Sequence, residues 1–151
     1  MVIGVISDTH AHLFEELPDK LLAALSGVNL IIHAGDIVAV AILKGLEQIA
    51  EVKTVQGNMD SDEIKASLPQ KELLVVNGKK IGIIHGWGGP WGIEHRIRKA
   101  FDNVDIIVYG HSHQTKNELI EGILFFNPGL ARKSFGILTL GEEVRGEIIR
   151  F

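Results

Sequence analysis

Short apolar runs alternate along this chain with stretches in which apolar residues return every three or four positions. The runs at 2–7 (VIGVIS), 29–33 (NLIIH), 51–56 (EVKTVQ), 72–77 (ELLVVN), 80–85 (KIGIIH) and 104–109 (VDIIVY) predict strands. Their near-continuous Val and Ile content predicts strands covered on both faces. Helices are predicted between them, over 13–25, 38–50, about 60–67 and 91–101. The first aligns Leu13, Leu17, Leu21 and Leu25 on one stripe. The segments NGKK at 77–80 and IEGI at 120–123 predict tight hairpin turns, because Asn-Gly and similar pairs accept the left-handed backbone such turns require. From 116 onward the pattern is all strand: KNELI, ILFFN, SFGILTL and VRGEIIRF.

The result is a mixed α/β chain with more strands than one sheet of this size holds comfortably. Two packed sheets flanked by helices accommodate them. No linker, repeat or low-complexity segment divides the chain, so one domain is expected over 1–151.

Composition narrows the chemistry. There is no cysteine, which excludes disulfides, thiolate nucleophiles and cysteine-held zinc or iron–sulfur groups. A net charge of −4 argues against a broad basic surface for duplex nucleic acid. The apolar start MVIGVI ends after six residues at SerAsp, too short for a signal peptide core, and no run approaches a membrane span. These features predict a cytoplasmic protein with no membrane association.

Polar residues with metal-binding atoms follow five of the predicted strands. Asp8 and His10 follow the first in SDTH, Asp36 the second in AGD, and Asn58 the third in GNMD. His85 ends the strand at 80–85, and His111 and His113 follow the next in GHSH. Helical crossovers would gather these strand ends, where open α/β sheets bind ligands. Imidazole nitrogen, carboxylate oxygen and amide oxygen all suit a divalent ion. Seven donors exceed what one catalytic ion takes if it keeps a position open, but they serve two ions if a carboxylate bridges them. Two-metal sites hold their ions about 3.5–4 Å apart. Taken singly each residue reads otherwise: Asp8 and Asp36 as turn or helix caps, Asn58 as a turn residue, His85 as a core histidine.

The blocks DTH, GD, GN, HG and GHSH, separated by 22 to 28 residues, resemble those of the calcineurin-like metallophosphoesterases. The short chain, the opening ISDTH and NPG at 127–129 are similar to the family's small phosphodiesterase branch. The resemblance spans Val2 to about Gly129. It implies a two-sheet β-sandwich flanked by helices, a four-layer αββα arrangement. It further implies one ion held by Asp8, His10, Asp36 and His113, and another by Asp36, Asn58, His85 and His111, with Asp36 as the bridge. The implied activity is hydrolysis of a small phosphoester, most often a diester, by a metal-bridging hydroxide, with Asp36, Asn58 and His85 at the catalytic centre. A sulfur-free shell suits Mn²⁺, Fe, Ni or Zn, and manganese is the first expectation.

Two departures stand out. Many larger relatives carry a histidine after GN that protonates the leaving group, whereas this chain has Met59 and then Asp60. Where small relatives often carry a second histidine after HG, this chain has Trp87, read as a pocket wall. For substrate contacts the sequence offers His12 as a proton donor, Asn127 in the site or capping its turn, and Arg132 on a phosphate. His33 reads as structural and His95 as part of a solvated helix. The alternative function is that of a protein-interaction scaffold like the phosphoesterase-like subunit of the retromer coat, which predicts eroded metal ligands and exposed apolar patches. A nuclease acting on duplex DNA is disfavoured by the acidic balance. The C-terminal strands offer an edge through which copies could pair as a homo-oligomer.

Overall fold

The computed structural model describes all 151 residues. Ten strands form two five-stranded sheets. The first has the order β10-β9-β1-β2-β3, built from Val144–Arg150, Ser134–Leu140, Val2–Ile6, Leu30–His33 and Glu51–Thr54. The second has the order β4-β5-β6-β8-β7, built from Lys71–Val76, Lys79–Ile84, Ile106–Val108, Ile123–Asn127 and Lys116–Ile120. β1, β2 and β3 run parallel, as do β5, β6 and β8; the remaining pairs are antiparallel.

Alternation along the strands creates the layers. Ile3, Val5, Leu30 and Ile32 face inward to Ile81, Ile83, Ile106, Val108 and Phe126 of the other sheet. Their neighbours Ile6, Ile31 and Phe135 point outward, against Leu21 and Leu25 of α1 (Asp19–Leu25), Ile42 and Leu46 of α2 (Val40–Glu47) and Ile64 of α3 (Asp62–Ser67). Ile107, Tyr109 and Phe125 cover the outer side of the second sheet with Ile93 and Ile97 of α4 (Ile93–Arg98). The order of layers is helix, sheet, sheet, helix.

Two local expectations are corrected. The helix expected over 13–25 breaks into a 3-10 turn, Phe14–Glu16, and α1, because Leu17 is extended and Pro18 stands at the N-cap with φ preset. Leu13 therefore leaves the leucine stripe and is exposed, whereas Leu17, Leu21 and Leu25 are buried. β4 is not covered on both faces: Leu73 and Val75 are exposed, as an edge strand with no helix over its outer side requires. Both hairpin turns form as expected, with Asn77, Gly78, Glu121 and Gly122 all at positive φ.

Candidate metal centre

The parallel strands β1, β2 and β3 end level with one another, Ile6 beside His33 and His33 beside Thr54. In the second sheet β5 and β6 do the same, Ile83 beside Val108. Packing brings the two sets of ends together. Gly35 (φ 98) is the seam: a Cβ there would lie 2.6 Å from His85 Nδ1, so only glycine lets the second strand's loop pass the fifth's. Gly110 serves likewise, since a Cβ would come 2.6 Å from Asp8 Oδ2.

All seven predicted donors meet here, in two groups around Asp36. In the first, His10 Nε2 lies 3.3 Å from Asp36 Oδ2 and 3.9 Å from Asp8 Oδ1, and His113 Nε2 lies 3.4 Å from Asp8 Oδ1. The donor atoms of Asp8, His10, Asp36 and His113 all lie within 4.8 Å of one another. In the second group, His85 Nε2 is 3.4 Å from Asp36 Oδ2 and 3.1 Å from Asn58 Oδ1, and His111 Nδ1 is also 3.1 Å from Asn58 Oδ1. His10 and His113 meet edge to face, as do His85 and His111.

The chemistry of this donor set fits a cation. Donors that share one ion at about 2.0–2.2 Å lie roughly 3–3.6 Å from each other, which is the spacing of the nearest contacts. The tautomers point the same way. A carbonyl only accepts, so His85 Nδ1–H donates to Ala34 O (2.7 Å) and His111 Nε2–H to Gly88 O (2.9 Å). That leaves His85 Nε2 and His111 Nδ1 turned toward oxygens that are themselves acceptors, where a neutral ring could offer only a lone pair. Asp8 Oδ1 is buried without any hydrogen-bond partner, while Oδ2 takes bonds from Ser7 Oγ (2.6 Å) and the His111 amide (3.2 Å). So many unopposed lone pairs in one place require positive charge.

Titration without an ion reflects that demand. Burial pushes the Asp8 carboxyl above its ordinary range, more than His85 and Ser7 pull it down. Burial acts on Asp36 in the same sense, but the hydrogen bond and charge of His85, with the Met59 amide and His10, hold it well below. Burial depresses His85, yet the bond to Asp36 and the charges of Asp8 and Asp36 prevail and raise it: a proton stands in for a cation. The backbone is also unusual here. Asp8, His10, Asp36, His111 and His113 all adopt positive φ, five of the eight non-glycine residues that do. Such strain costs on the order of 1–3 kcal/mol per residue and persists where surrounding structure enforces it.

The remaining residues divide into framework and surface. His33 is fully buried; its Nδ1 accepts from the Gly35 amide (3.2 Å) and its Nε2 meets Thr9 Oγ1 (3.3 Å), so it braces the Asp36 loop as a neutral ring. Burial lowers it to about 3. Asn127 is buried; its Nδ2 donates to Gly110 O and Ser112 Oγ (3.1 Å each) and its Oδ1 accepts from Gly129 N (2.9 Å), bracing the GHSH loop. His12 is exposed and its side chain makes no hydrogen bond; His95 is exposed on α4. Arg132 is exposed beside His113. Met59 presents its amide, not its side chain, to Asp36 Oδ1 (2.8 Å), and Asp60 is held by the amides of Val38 and Gly57 (2.7 Å each).

Sequence reasoning missed the Gly88 carbonyl and the side chain that fixes it. Arg96 donates to the carbonyls of Trp87 (3.0 and 2.7 Å), Trp91 (2.9 Å) and Gly89, pinning the loop that carries Gly88. A carbonyl leaves no mark in a sequence; an arginine three residues into a helix after a glycine-rich loop is the only trace. A surface groove of about 460 Å³ beside Lys71 and Phe101 contains none of the seven donors, so size alone does not locate the chemistry.

Two sandwiched sheets with histidine, aspartate and asparagine converging from five strand ends define a metal-dependent class of protein. The chain belongs to the calcineurin-like phosphoesterase superfamily, whose domain it matches over residues 1–140. It is 36% identical to a probable metallophosphoesterase of Methanothermobacter thermautotrophicus, over 99% of this chain and 92% of that one. It is 28% identical to a phosphodiesterase of Methanocaldococcus jannaschii, over 85% of this chain and 83% of the other. In fold it is similar to Vps29 of Entamoeba histolytica in complex with zinc, at a TM-score of 0.78 and 23% identity, with 99% of each chain covered. No helix is long and apolar enough to cross a membrane.

Proposed function

We propose that this protein, acting as a single domain, is a two-metal phosphodiesterase that hydrolyses a small phosphoester. Asp8, His10, Asp36 and His113 would hold one divalent ion and Asp36, Asn58, His85 and His111 the other, manganese being the first choice for this sulfur-free shell. The observation that carries the reading is Asp36 Oδ2, 3.3 Å from His10 Nε2 and 3.4 Å from His85 Nε2, with a full donor group on either side. Cations held by these residues would lower the pKa of a bound water and neutralise charge on phosphoryl oxygens.

The chain's own residues do the rest. Ala34 and Gly88 hold His85 and His111 in the tautomers that leave one nitrogen free inward. The Met59 amide and Ser7 hydroxyl fix the rotations of the Asp36 and Asp8 carboxylates. The positions after Asn58 supply no acid for the leaving group, since the thioether of Met59 cannot donate and Asp60 is tied to two amides. Diesters with weakly basic aryl or similar leaving groups suit such a site better than alkyl alcohols.

The scaffold alternative is supported by the likeness in fold to Vps29 and by exposed apolar residues, Leu73, Val75 and Leu119 among them. These three lie on β4 and β7, the opposite edges of one sheet, and do not form one patch. Its other requirement, loss of the donors, is not met. Metal-stripped protein should hydrolyse bis(p-nitrophenyl) phosphate only after Mn²⁺ is added, and Asp36→Ala should reduce turnover at least about 10²-fold. A folded wild-type protein inert with every divalent metal would leave the scaffold reading standing.

A further inference from the structure

We propose that the groove beside His113 is a second anion-binding subsite, so that the preferred substrate carries another phosphate or carboxylate besides the phosphoester at the metal group. The proposal deepens the phosphodiesterase reading and rests on it for the role of the anion as part of a substrate.

The groove encloses about 440 Å³, within the roughly 300–1,000 Å³ of small-molecule sites. His113, Thr115, Arg132, Lys133, Ser134 and Arg150 line it. It opens from the metal group itself, since His113 Nε2 is 3.4 Å from Asp8 Oδ1. A diester bound at Asp36 would therefore send one of its arms past His113 into this space.

Charge makes the groove selective. Three of its lining residues are cations and none is an aspartate or glutamate. The chain has 19 acidic against 15 basic residues, yet Arg132, Lys133 and Arg150 form no ion pair, whereas Lys53, Arg98 and Lys116 do. Three unpaired cations facing one cavity in an acidic protein create a local positive field. Guanidinium groups offer forked donors that match phosphate or carboxylate oxygens.

The walls are held by the framework. The turn before β9 closes through Lys133 N and Ser134 N to Leu130 O (2.8 and 2.9 Å). Ser134 Oγ donates to Pro128 O (2.5 Å), and Ala131 N donates to Ser7 O (3.1 Å), tying the turn to the strand end that bears Asp8. Arg150 pairs across the sheet with Ser134, and its Nη2 donates to Thr115 Oγ1 (2.7 Å). That bond leaves the rest of the guanidinium free.

The test uses inorganic phosphate and the intact chain, stripped of metal and dialysed free of chelator, with amide resonances followed by NMR. Phosphate should shift amides at 115, 130–134 and 150–151 saturably, more weakly at high salt. Affinity should fall at least tenfold in the Arg132→Gln/Arg150→Gln double variant and stay unchanged in Arg145→Gln, an exposed arginine at the opposite end of β10. Absence of saturable shifts, shifts centred elsewhere, or equal affinity in the double variant would overturn the subsite. With Mn²⁺ added, the double variant should lose tenfold in its preference, by kcat/KM, for a phosphodiester bearing an extra phosphate over bis(p-nitrophenyl) phosphate. An unchanged preference would also overturn the proposal. Phosphate binding by a protein inert toward every diester would instead refute the phosphodiesterase reading and leave the anion site intact.

Discussion

Asp8 shows what the site demands of single residues. It is buried at positive φ with one oxygen unpartnered, an arrangement that weakens a protein unless an ion repays it. Asp8→Asn removes the buried charge in nearly the same shape. In metal-free protein it should raise stability by about 1–2 kcal/mol in urea denaturation, while abolishing the gain in stability on adding Mn²⁺. His33 carries a second prediction. Its folded value of about 3 lies below the ordinary 6.5, so between these values the unfolded chain binds more protons. Its neutral contribution is fully present above about 6.5 and is lost as pH falls toward 3, at up to about 1.4 kcal/mol per pH unit. His33→Gln should flatten the stability profile in that window; an equal slope in variant and wild type would mean the ring is not the group that titrates. The donor residues themselves were legible because each follows an apolar run. Their tautomers were not, since these depend on carbonyls of Ala34 and Gly88 contributed by other loops.

The loop 86–92 and α4 work together as an element. Arg96 gathers three carbonyls of the loop, and the loop passes that order to His111 through Gly88. Both tryptophans of the chain, Trp87 and Trp91, lie on it, so selectively excited tryptophan fluorescence reports the loop alone. Arg96→Ala should change the emission spectrum and weaken Mn²⁺ binding about 10–100-fold, the usual consequence of losing support behind a ligand. Unchanged emission and metal affinity would show that the loop holds its shape without the clamp. Most elements were legible from periodicity, and the failures have physical causes. The leucine stripe at Leu13, Leu17, Leu21 and Leu25 read as one helix on spacing alone, although Pro18 inside it is a helix-breaking signal that the sequence does carry. The apolar β4 read as an inner strand because Val and Leu look alike on a covered and an uncovered face.

At the scale of the molecule, two sheets bring five strand ends to one place, and no contiguous segment could do so. Strand order was not legible: β9 and β10, last in the chain, pair beside β1, and β8 lies between β6 and β7. Pairings over such separations depend on side-chain packing between the sheets, as with Phe126 against Val5 and Leu138, which local pattern does not encode. Because the donors come from both sheets, bound metal should clamp the sandwich. Saturating Mn²⁺ should raise the unfolding temperature of the stripped protein and leave that of Asp36→Ala much less changed, by mass action on the native state. The central claim is that Asp36 joins two ions, and the most direct measurement is anomalous diffraction from crystals soaked in Mn²⁺. Two peaks are predicted, one among Asp8, His10 and His113 and one among Asn58, His85 and His111, with the Asp36 carboxylate between them. A single peak at full Mn²⁺, or two that do not share Asp36, would contradict the two-metal account.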